Sequence, residues 1–411
     1  MIRPLRVVLL VLLVFYRARP SEAAQPSLQH AGYSIPATEL YGATGLSKTD
    51  VFTSGTDGYH TYRIPSVIVT QEGTVLAFCE GRKSGRGDSG DIDLLLKRSL
   101  DGGKTWSKQQ IIWDDGPNTC GNPCAVQDRQ TGTIWLLMTW NDGDDRESAI
   151  KKGTSKDTRR VWITSSKDDG RTWSKPVEIT STAKRAEWRW YATGPGVGIQ
   201  LEQGPWKGRL VIPCDHSVAS ADEASGYNSH VIISDDHGKS WKIGGVISPK
   251  VNECQVVELD DGTLMINMRN YDRSKTSRAV ATSSDGGMSW SDIYHDPVLV
   301  EPVCQASLLR YTLKGRDDRN RLLFSNPARS RRGERRRMTI RLSYDEGRTW
   351  PVAKVLHDGP AAYSCLAVLA DKEIACVYEA GRNHPYEKIV FARFTLAWLT
   401  GGTENLRDSR K

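Results

Sequence analysis

Three arginines lie in strand-like segments where a fixed guanidinium group could bind a carboxylate. Arg63 stands in a Tyr-Arg-Ile-Pro segment, Arg269 in a Met-Arg-Asn segment, and Arg341 at the end of a Met-Thr-Ile-Arg segment. A guanidinium held in one orientation donates two parallel hydrogen bonds to a carboxylate. Each of these arginines alone is more often a surface salt-bridge partner, so their chemistry depends on whether the fold brings them together.

A repeated motif marks the elements that would position these arginines. The pattern Ser-x-Asp-x-Gly-x-(Thr/Ser)-Trp occurs five times, beginning at Ser99, Ser166, Ser234, Ser283 and Ser343. The starts are 67, 68, 49 and 60 residues apart, which is enough chain for four short strands, or one propeller blade. In each copy Asp and Gly favour a hairpin turn, and Trp provides a packing anchor. The motif therefore indicates a fold and a structural turn rather than a site.

Between the motifs, short apolar runs alternate with turns rich in Gly, Asp and Asn, without a long helical period. This pattern predicts an all-β protein, a six-bladed β-propeller. The motifs account for at least five blades, and strands from both ends of the chain could complete a sixth. We assign residues 51–400 to the propeller, 24–50 to a lead-in segment and 401–411 to a C-terminal tail.

The chain of 411 residues carries a net charge of +7. Residues 1–23 contain four Arg and one Glu, so their removal leaves +4. This is a mild bias toward acidic partners and not a nucleic-acid signature. Residues 327–337 are predicted to form a solvated loop between strands rather than a phosphate- or glycan-binding segment. That loop contains Arg329, Arg331, Arg332, Arg335, Arg336 and Arg337.

The N-terminus has the features of a secretory signal. Arg3 and Arg6 precede an apolar run at residues 7–15, and Ser-Glu-Ala at residues 21–23 offers a cleavage site. The run is shorter than the ~20 residues that span a bilayer, so we expect an exported protein without a stable membrane span. Arg17 and Arg19 leave an uncleaved N-terminal anchor as an alternative.

The eight cysteines permit disulfides in an exported protein, and Cys120 and Cys124 are the closest pair. Cys79, Cys365 and Cys376 lie in apolar surroundings and are expected to be buried thiols. No Cys/His cluster has the spacing of a metal site, so no metal is predicted.

Taken together, these segments resemble the exo-sialidases (neuraminidases) of the six-bladed propeller type, from bacteria and the animal lysosome. The resemblance covers essentially all of residues 50–395, and the ordered set of motifs is very specific. Besides the five repeats, which are the Asp boxes of that family, the matching segments are Tyr62-Arg63-Ile64-Pro65, Glu80-Gly81-Arg82, Thr193-Gly194-Pro195-Gly196, Asn252-Glu253-Cys254-Gln255, Asn267-Met268-Arg269-Asn270, Phe324-Ser325-Asn326-Pro327, Gly359-Pro360-Ala361-Ala362-Tyr363-Ser364 and Tyr378-Glu379-Ala380-Gly381-Arg382-Asn383-His384.

In that family three arginines hold the carboxylate of sialic acid, and the resemblance implies this role for Arg63, Arg269 and Arg341. Three fixed guanidinium groups select an anionic sugar, because they would be costly to leave unpaired in a dry site. Glu379 matches the acid that holds the first arginine, and Arg82 matches an arginine on the ring-hydroxyl side of the sugar. No metal or other cofactor is implied, because the arginines supply the positive charge.

The resemblance also implies an unusual nucleophile. The anomeric carbon of sialic acid already bears a carboxylate, which would repel an anionic attacking group. A neutral phenol avoids this repulsion, but its pKa near ~10 makes it weak without a neighbouring base. Tyr363 matches the family nucleophile, and Glu253 matches the base that takes its proton.

The acid/base is expected in the glycine-rich loop of residues 81–93. We assign Asp88, which lies 25 residues beyond Arg63 and matches the lysosomal-type spacing. Its position would let the loop close over a ligand. Asp91 and Asp93 flank the next strand and are expected to be turn or supporting groups.

The rest of the sugar pocket is matched only by position. Trp140 and Asn141 end a strand of the second blade and could line the acetyl side. Tyr191, with Trp190, could face the glycerol tail. Structural packing is an equal alternative for each of these residues.

These residues predict an exo-α-sialidase that releases terminal sialic acid with retention at the anomeric centre. The expected partners are sialylated glycoproteins, glycolipids and oligosaccharides, with no nucleic acid. Three alternatives stay open: a hydrolase of a related acid such as the deaminated sugar, a trans-sialidase with an aromatic acceptor platform, and a non-catalytic lectin.

Overall fold

The computed structural model describes residues 45–406, which form 25 β-strands, three short α-helices and one turn of 3-10 helix at Ala224–Gly226. The helices are α1 (Glu147–Lys152), α2 (Thr180–Ala183) and α3 (Leu396–Thr400). The strands are β1 (Leu46–Thr53), β2 (Thr61–Val69), β3 (Val75–Arg82), β4 (Ile92–Ser99), β5 (Gln110–Trp113), β6 (Thr119–Gln127), β7 (Ile134–Asn141), β8 (Arg160–Ser166), β9 (Val177–Glu178), β10 (Tyr191–Thr193), β11 (Gly196–Val197), β12 (Ile199–Gln200), β13 (Leu210–Ser217), β14 (Tyr227–Ser234), β15 (Lys242–Ile247), β16 (Val251–Glu258), β17 (Leu264–Asn270), β18 (Ser277–Ser283), β19 (Tyr294–Val300), β20 (Ser307–Thr312), β21 (Arg321–Pro327), β22 (Arg336–Ser343), β23 (Val352–Val368), β24 (Ile374–Ala380) and β25 (Lys388–Phe394).

The strands pair into six antiparallel blades, so the predicted all-β propeller is confirmed. Blades one and two are β2 to β5 and β6 to β9, blade three is built on β10, β12 and β13 to β15, and blade four is β16 to β19. Blade five is β20 to β22 with the first part of β23, whose last part begins blade six. Blade six continues through β24 and β25.

The outermost strand of blade six comes from the other end of the chain. Strand β1 pairs antiparallel with β25, from Leu46 against Phe394 to Thr53 against Lys388. The two ends of the described chain therefore share one blade. Residues 46–50, which the sequence placed in the lead-in, belong to this strand.

The five motifs form one repeated turn after the third strand of a blade. In the second copy the Asp168 carboxylate accepts hydrogen bonds from the backbone and hydroxyl of Thr172 and from the hydroxyl of Ser166, at 2.6–2.9 Å. Burial opposes ionisation of Asp168, but these donors lower its pKa to about 2. The motif tryptophans reach neighbouring blades: the ring of Trp173 lies 5.7 Å from that of Phe78. The motifs therefore fasten blades together.

Alternating strand directions give the propeller two distinct faces. The five motif turns lie at one end of the blades, which we call the box face. The loops that join second to third strands, such as residues 83–91 and 328–335, lie at the opposite end, which we call the site face. Within residues 45–406, no helix is long and apolar enough to cross a membrane. The apolar core fills the space between blades and contains all eight cysteines, each as a buried free thiol.

Three innermost strands are bulged near the site face. The ladder register shifts at residues 63–66 of β2, 251–254 of β16 and 361–364 of β23. A bulge breaks the regular alternation of a strand and re-aims its side chains. Arg63, Glu253 and Tyr363 all lie in these bulged segments, and their three side chains come together in one place.

Candidate active site

Arg63 is fixed by a carboxylate from the sixth blade. Its Nε donates to Glu379 Oε1 at 3.0 Å, and Nη2 donates to Oε2 at 3.4 Å. Ile64 has φ of 59°, a strained conformation for a β-branched residue, and its N–H also donates to Glu379 at 3.0 Å. The backbone N–H of Tyr363 donates to the other oxygen of Glu379 at 3.0 Å. The buried Glu379 carboxylate therefore holds both the Arg63 side chain and the Tyr363 backbone in position.

Tyr363 lies at the centre of the site and is paired with a base. Its hydroxyl donates a short hydrogen bond to Glu253, and Arg269 Nη1 donates to the other oxygen of Glu253 at 2.7 Å. The same Arg269 nitrogen lies 3.3 Å from the Tyr363 hydroxyl. Burial, and next the charge of Glu253, raise the pKa of Tyr363 well above its ordinary value. The tyrosine is thus a neutral phenol whose proton already points at a carboxylate.

The third guanidinium group beside Tyr363 belongs to Arg335. Its central carbon lies 5.6 Å from the centre of the Tyr363 ring, and that of Arg63 lies 5.0 Å from it. Arg335 Nη1 donates to the hydroxyl of Tyr386 at 2.7 Å, and Tyr386 stacks on Arg63 at 3.8 Å. Three arginines from blades one, four and five therefore surround one phenol.

Arg341, which the sequence placed in this group, lies elsewhere. Its guanidinium donates to Asn326 at 3.3 Å and faces Asp296, in the space between blades four and five. Burial lowers its pKa, since Asp296 offsets only part of the desolvation. Arg341 stands two residues before Ser343, at the box end of β22, whereas Arg335 immediately precedes that strand at the site face. The assignment of Arg341 is therefore replaced by Arg335.

Asp88 reaches the site from the loop between β3 and β4. Its carboxylate lies 2.7 Å from Arg82 Nη1 and 3.5 Å from Arg63 Nη1. Arg82 is held by Glu80 and donates to the backbone carbonyls of Arg86 and Gly87 at 2.6 and 2.9 Å. Arg82 thus positions the loop as well as its carboxylate.

The protonation state of Asp88 follows from these neighbours. Burial opposes ionisation, but Arg82 and Arg63 outweigh it and lower the pKa of Asp88 to about 2. The carboxylate is therefore ionised, and its side chain is 54 % exposed. An anionic ligand that takes over Arg63 and covers Asp88 would remove part of that stabilisation and raise the pKa.

A further arginine, Arg159, lies near enough to Asp88 for its charge to help lower the pKa of that carboxyl group. It is fully buried, donates short hydrogen bonds to the side chains of Asn122 and Asn141, and stacks on Trp190 at 4.0 Å. Its Nε has no hydrogen-bond partner among the described residues. Burial lowers the pKa of Arg159 to about 10.

Asp215 belongs to the same region. It is buried, accepts from Asn252 at 2.6 Å, and leaves its second oxygen unpaired within the described part of the chain. Burial, and then the charge of Glu253, raise the pKa of Asp215 well above its ordinary value. A buried donor and a buried carboxyl group therefore flank the site on the side of blades two and three.

The remaining predicted pocket residues have mainly structural surroundings. The Trp140 indole donates to Asp115 at 2.7 Å and packs on the core of the first two blades. Tyr191 is fully buried in the core of blade three, where its hydroxyl donates to the Ala183 carbonyl at 3.2 Å. Asn141 does not line the site directly but holds Arg159. For these residues packing, which the sequence left as an equal alternative, describes the structure.

The site contains five residues that sequence reasoning missed: Glu80, Arg159, Asp215, Arg335 and Tyr386. Arg335 carried a usable signal, because an arginine just before a third strand must lie at the site face. Glu80 stood in a matched segment but received no role. Tyr386 and Arg159 had no local signal, since their partners are distant in sequence. Among residues 45–406, no group of three or more His, Cys, Asp and Glu side chains is placed to hold a metal ion.

Comparison with known proteins shows which proteins this chain resembles. Residues 73–376 match the family model of a BNR repeat-like domain. The chain is 34% identical over 389 residues to a sialidase of Micromonospora viridifaciens, covering 92% of this chain and 58% of that protein. It is 31% identical to an exo-alpha-sialidase of Aspergillus fumigatus, covering 98% of this chain and 99% of the relative. Among solved structures, Hadza microbial sialidase Hz136 superposes with a TM-score of 0.76 at 31% identity, covering 86% of this chain and 69% of that one.

The chain spans only part of the length of some relatives. It covers 58% and 62% of the sialidases of Micromonospora viridifaciens and Bacteroides fragilis. The Aspergillus relative, by contrast, is matched along almost its whole length. With a repeat model matching most of the propeller and a relative of the same extent above 30% identity, this chain belongs to the sialidase family.

Proposed function

We propose that the protein is an exo-α-sialidase that hydrolyses terminal α-linked sialic acid with retention of configuration. The observation that carries this proposal is the phenol of Tyr363, hydrogen-bonded to Glu253 and surrounded by Arg63, Arg269 and Arg335. A carboxylate bound by the three guanidinium groups would hold its anomeric carbon beside the phenol oxygen. Sialylated glycoproteins, glycolipids and oligosaccharides are the proposed substrates.

In the first step, Tyr363 Oη attacks the anomeric carbon while its proton passes to Glu253. The glycosidic C–O bond breaks, and Asp88 gives its proton to the leaving oxygen. Asp88 acquires that proton on substrate binding, because the substrate carboxylate competes for Arg63 and covers the aspartate. In the second step, Asp88 takes a proton from water, water oxygen replaces Tyr363 at the anomeric carbon, and Glu253 returns the proton to the phenolate.

Hydrolysis of a fluorogenic aryl α-sialoside, with free sialic acid quantified, tests the proposal. We expect release by the wild type and near-loss in Tyr363→Phe, which keeps the ring and removes only the nucleophilic oxygen. Following the first product by NMR should show the α-anomer before mutarotation. A β-anomer as first product would refute the retaining mechanism, and an unchanged rate in Tyr363→Phe would remove Tyr363 from it.

The role of Asp88 has its own test, because a general acid matters most for poor leaving groups. Asp88→Ala should lose far more activity on sialyllactose, which has an alkoxide leaving group, than on an aryl sialoside, which leaves as a phenolate. Equal losses on both substrates would assign Asp88 to binding rather than proton transfer.

A hydrolase of the deaminated sugar is the second candidate. It is favoured by Arg159 and Asp215, because buried groups with unused hydrogen-bonding capacity suit a hydroxyl better than an acetyl methyl. Comparing kcat/KM for matched aryl glycosides of the N-acetylated and deaminated sugars separates the two. Transfer to an added galactose acceptor would indicate a trans-sialidase, and binding without turnover would indicate a lectin.

We also propose that the protein is exported, on the basis of the apolar run at residues 7–15 and the small residues around Ala23. These residues lie outside the described part of the chain. N-terminal sequencing of secreted material should find cleavage after Ala23, and an intact N-terminus on membrane-associated material would favour the anchor.

A further inference from the structure

Four cations on the site face form no ion pair with any Asp or Glu in the described part of the chain. Arg331 and Arg332 lie in the loop between β21 and β22, and Arg273 and Lys275 lie in the loop between β17 and β18; all four are exposed. No Asp or Glu of residues 45–406 is within 4.0 Å of their charged groups, whereas Arg329 and Arg337 of the same arginine-rich loop are paired. We call these four residues the basic rim.

The two loops of the basic rim meet across a small cavity. Arg273, Lys275 and Arg332 line this cavity of about 90 Å³, together with Asp272 and Glu301. Glu301 is already engaged by Arg278 Nη1 at 2.6 Å, and Asp272 accepts from the backbone and hydroxyl of Ser274. The acidic groups are therefore occupied, and the cavity mouth is left with a net positive charge.

The basic rim adjoins the proposed carboxylate site. Arg335 follows Arg332 by three residues and faces Tyr363, while Arg269 lies 5.1 Å from the ring of Tyr271, which also lines the cavity. In sialic acid the carboxylate and the glycosidic oxygen are bonded to the same carbon. The group attached to that oxygen must therefore leave the site close to the arginines that hold the carboxylate.

We propose that the basic rim is a subsite for an acidic aglycone, and that its occupant is a second sialic acid in an oligosialic chain. The proposal rests on the proposed sialidase activity. Residues 327–337 contain no aromatic side chain, so this loop offers charge rather than a stacking platform. The second sugar carries one carboxylate, which the unpaired guanidinium and ammonium groups would attract as it emerges from the site.

The expected preference is modest and depends on salt. Exposed ion pairs each contribute a few-fold in affinity, so two contacts should give a preference of about fivefold to twentyfold in kcat/KM. The Debye length, over which salt screens a charge, shortens from about 8 Å at 0.15 M salt to about 3 Å at 1 M. The preference should therefore largely disappear in 1 M salt.

The test compares two disialosides that differ only in the inner carboxylate, which is free in one and converted to the amide in the other. Their linkage is the same, so the ratio of kcat/KM reports the charge of the aglycone alone. We expect a ratio of about fivefold to twentyfold for the wild type at low salt. In the double variants Arg331→Gln/Arg332→Gln and Arg273→Gln/Lys275→Gln the ratio should fall toward one.

Lys104→Gln/Lys108→Gln is the matched control, since it removes two exposed charges from the box face. This pair should keep the wild-type ratio. A wild-type ratio near one, or a ratio that the rim variants and the control lower equally, would overturn the proposal. Release of sialic acid from the amide substrate shows that the sialidase activity stands even if the rim proposal fails, and no release from either disialoside or from sialyllactose would reject both.

Discussion

Replacing Arg335 should damage catalysis far more than replacing Arg341, although both are arginines next to the same strand. Arg335 donates to the Tyr386 hydroxyl at 2.7 Å and to the Val303 carbonyl at 3.5 Å, and it faces Tyr363, so its other N–H groups are left for a ligand carboxylate. A hydrogen bond to a charged group contributes about 1.5–3 kcal/mol, so losing one lowers kcat/KM by about 10- to 150-fold. We expect about 100-fold for Arg335→Gln, with most of the loss in KM. Arg341→Gln should change kcat/KM by less than about threefold, because Arg341 faces Asn326 and Asp296 instead.

The assay is the hydrolysis of an aryl α-sialoside over a range of substrate concentrations, with thermal unfolding recorded for every variant. Arg335→Lys is the conservative control, since it keeps the charge but loses the planar fork; it should recover part of the KM. Similar kinetics in Arg335→Gln and wild type, together with a large loss in folded Arg341→Gln, would refute the structural assignment and restore the one made from sequence.

Three further predictions follow from other contacts. Glu379→Gln should lower kcat/KM by about 10- to 100-fold and also lower the Tm, because an amide cannot accept from Arg63 and the Tyr363 N–H while presenting its own donors; a variant with wild-type kinetics would contradict this positioning role. Asp168→Ala should reduce the free energy of unfolding by about 1–3 kcal/mol in urea titrations without changing the kcat of the folded enzyme, since it deletes a turn on the box face. Burial lowers the pKa of His216 to about 3, whereas an unfolded histidine titrates near about 6.5, so the unfolded state binds more protons between those values and stability falls as the pH drops from 6.5 toward 3. His216→Gln should flatten this dependence, and an equal slope in variant and wild type would rule the histidine out as its source.

The fold was predictable because its signal is local and repeated. Each motif carries its own turn chemistry within eight residues, as Asp168 illustrates, and the five copies indicate at least five blades and their spacing. The sequence also allowed the two ends of the chain to complete a sixth blade, and the pairing of β1 with β25 confirms this. The exact start of β1 could not be predicted, because the alternation of polar and apolar residues at 46–50 is too weak to distinguish a strand from a lead-in segment.

The site was predictable only where a residue stood in a distinctive segment. Arg63, Glu253 and Tyr363 lie in matched segments, and the structure brings all three together. Arg335 was hidden among six arginines of residues 327–337, where residue type carries no information and only distance from the following motif identifies the site end of the strand.

The sequence could not decide between packing and a pocket role for Tyr191 and Trp140, for a different reason. Tyr191 and Trp140 have the types that often line sugar pockets, yet the same types also fill cores. Which face they occupy depends on strand register and on neighbours from other blades, and a single sequence does not contain that information.

The pairing of β1 with β25 has a consequence for how activity arises during synthesis. Strand β1 emerges from the ribosome early but cannot pair until the last blade has been made, so it stays an unsatisfied edge for most of translation. Arg63 of blade one and Glu379 of blade six likewise meet only when the first and last parts of the chain join. A partly made or C-terminally nicked chain would therefore hold no working site, and enzymatic activity itself reports that the ring has closed.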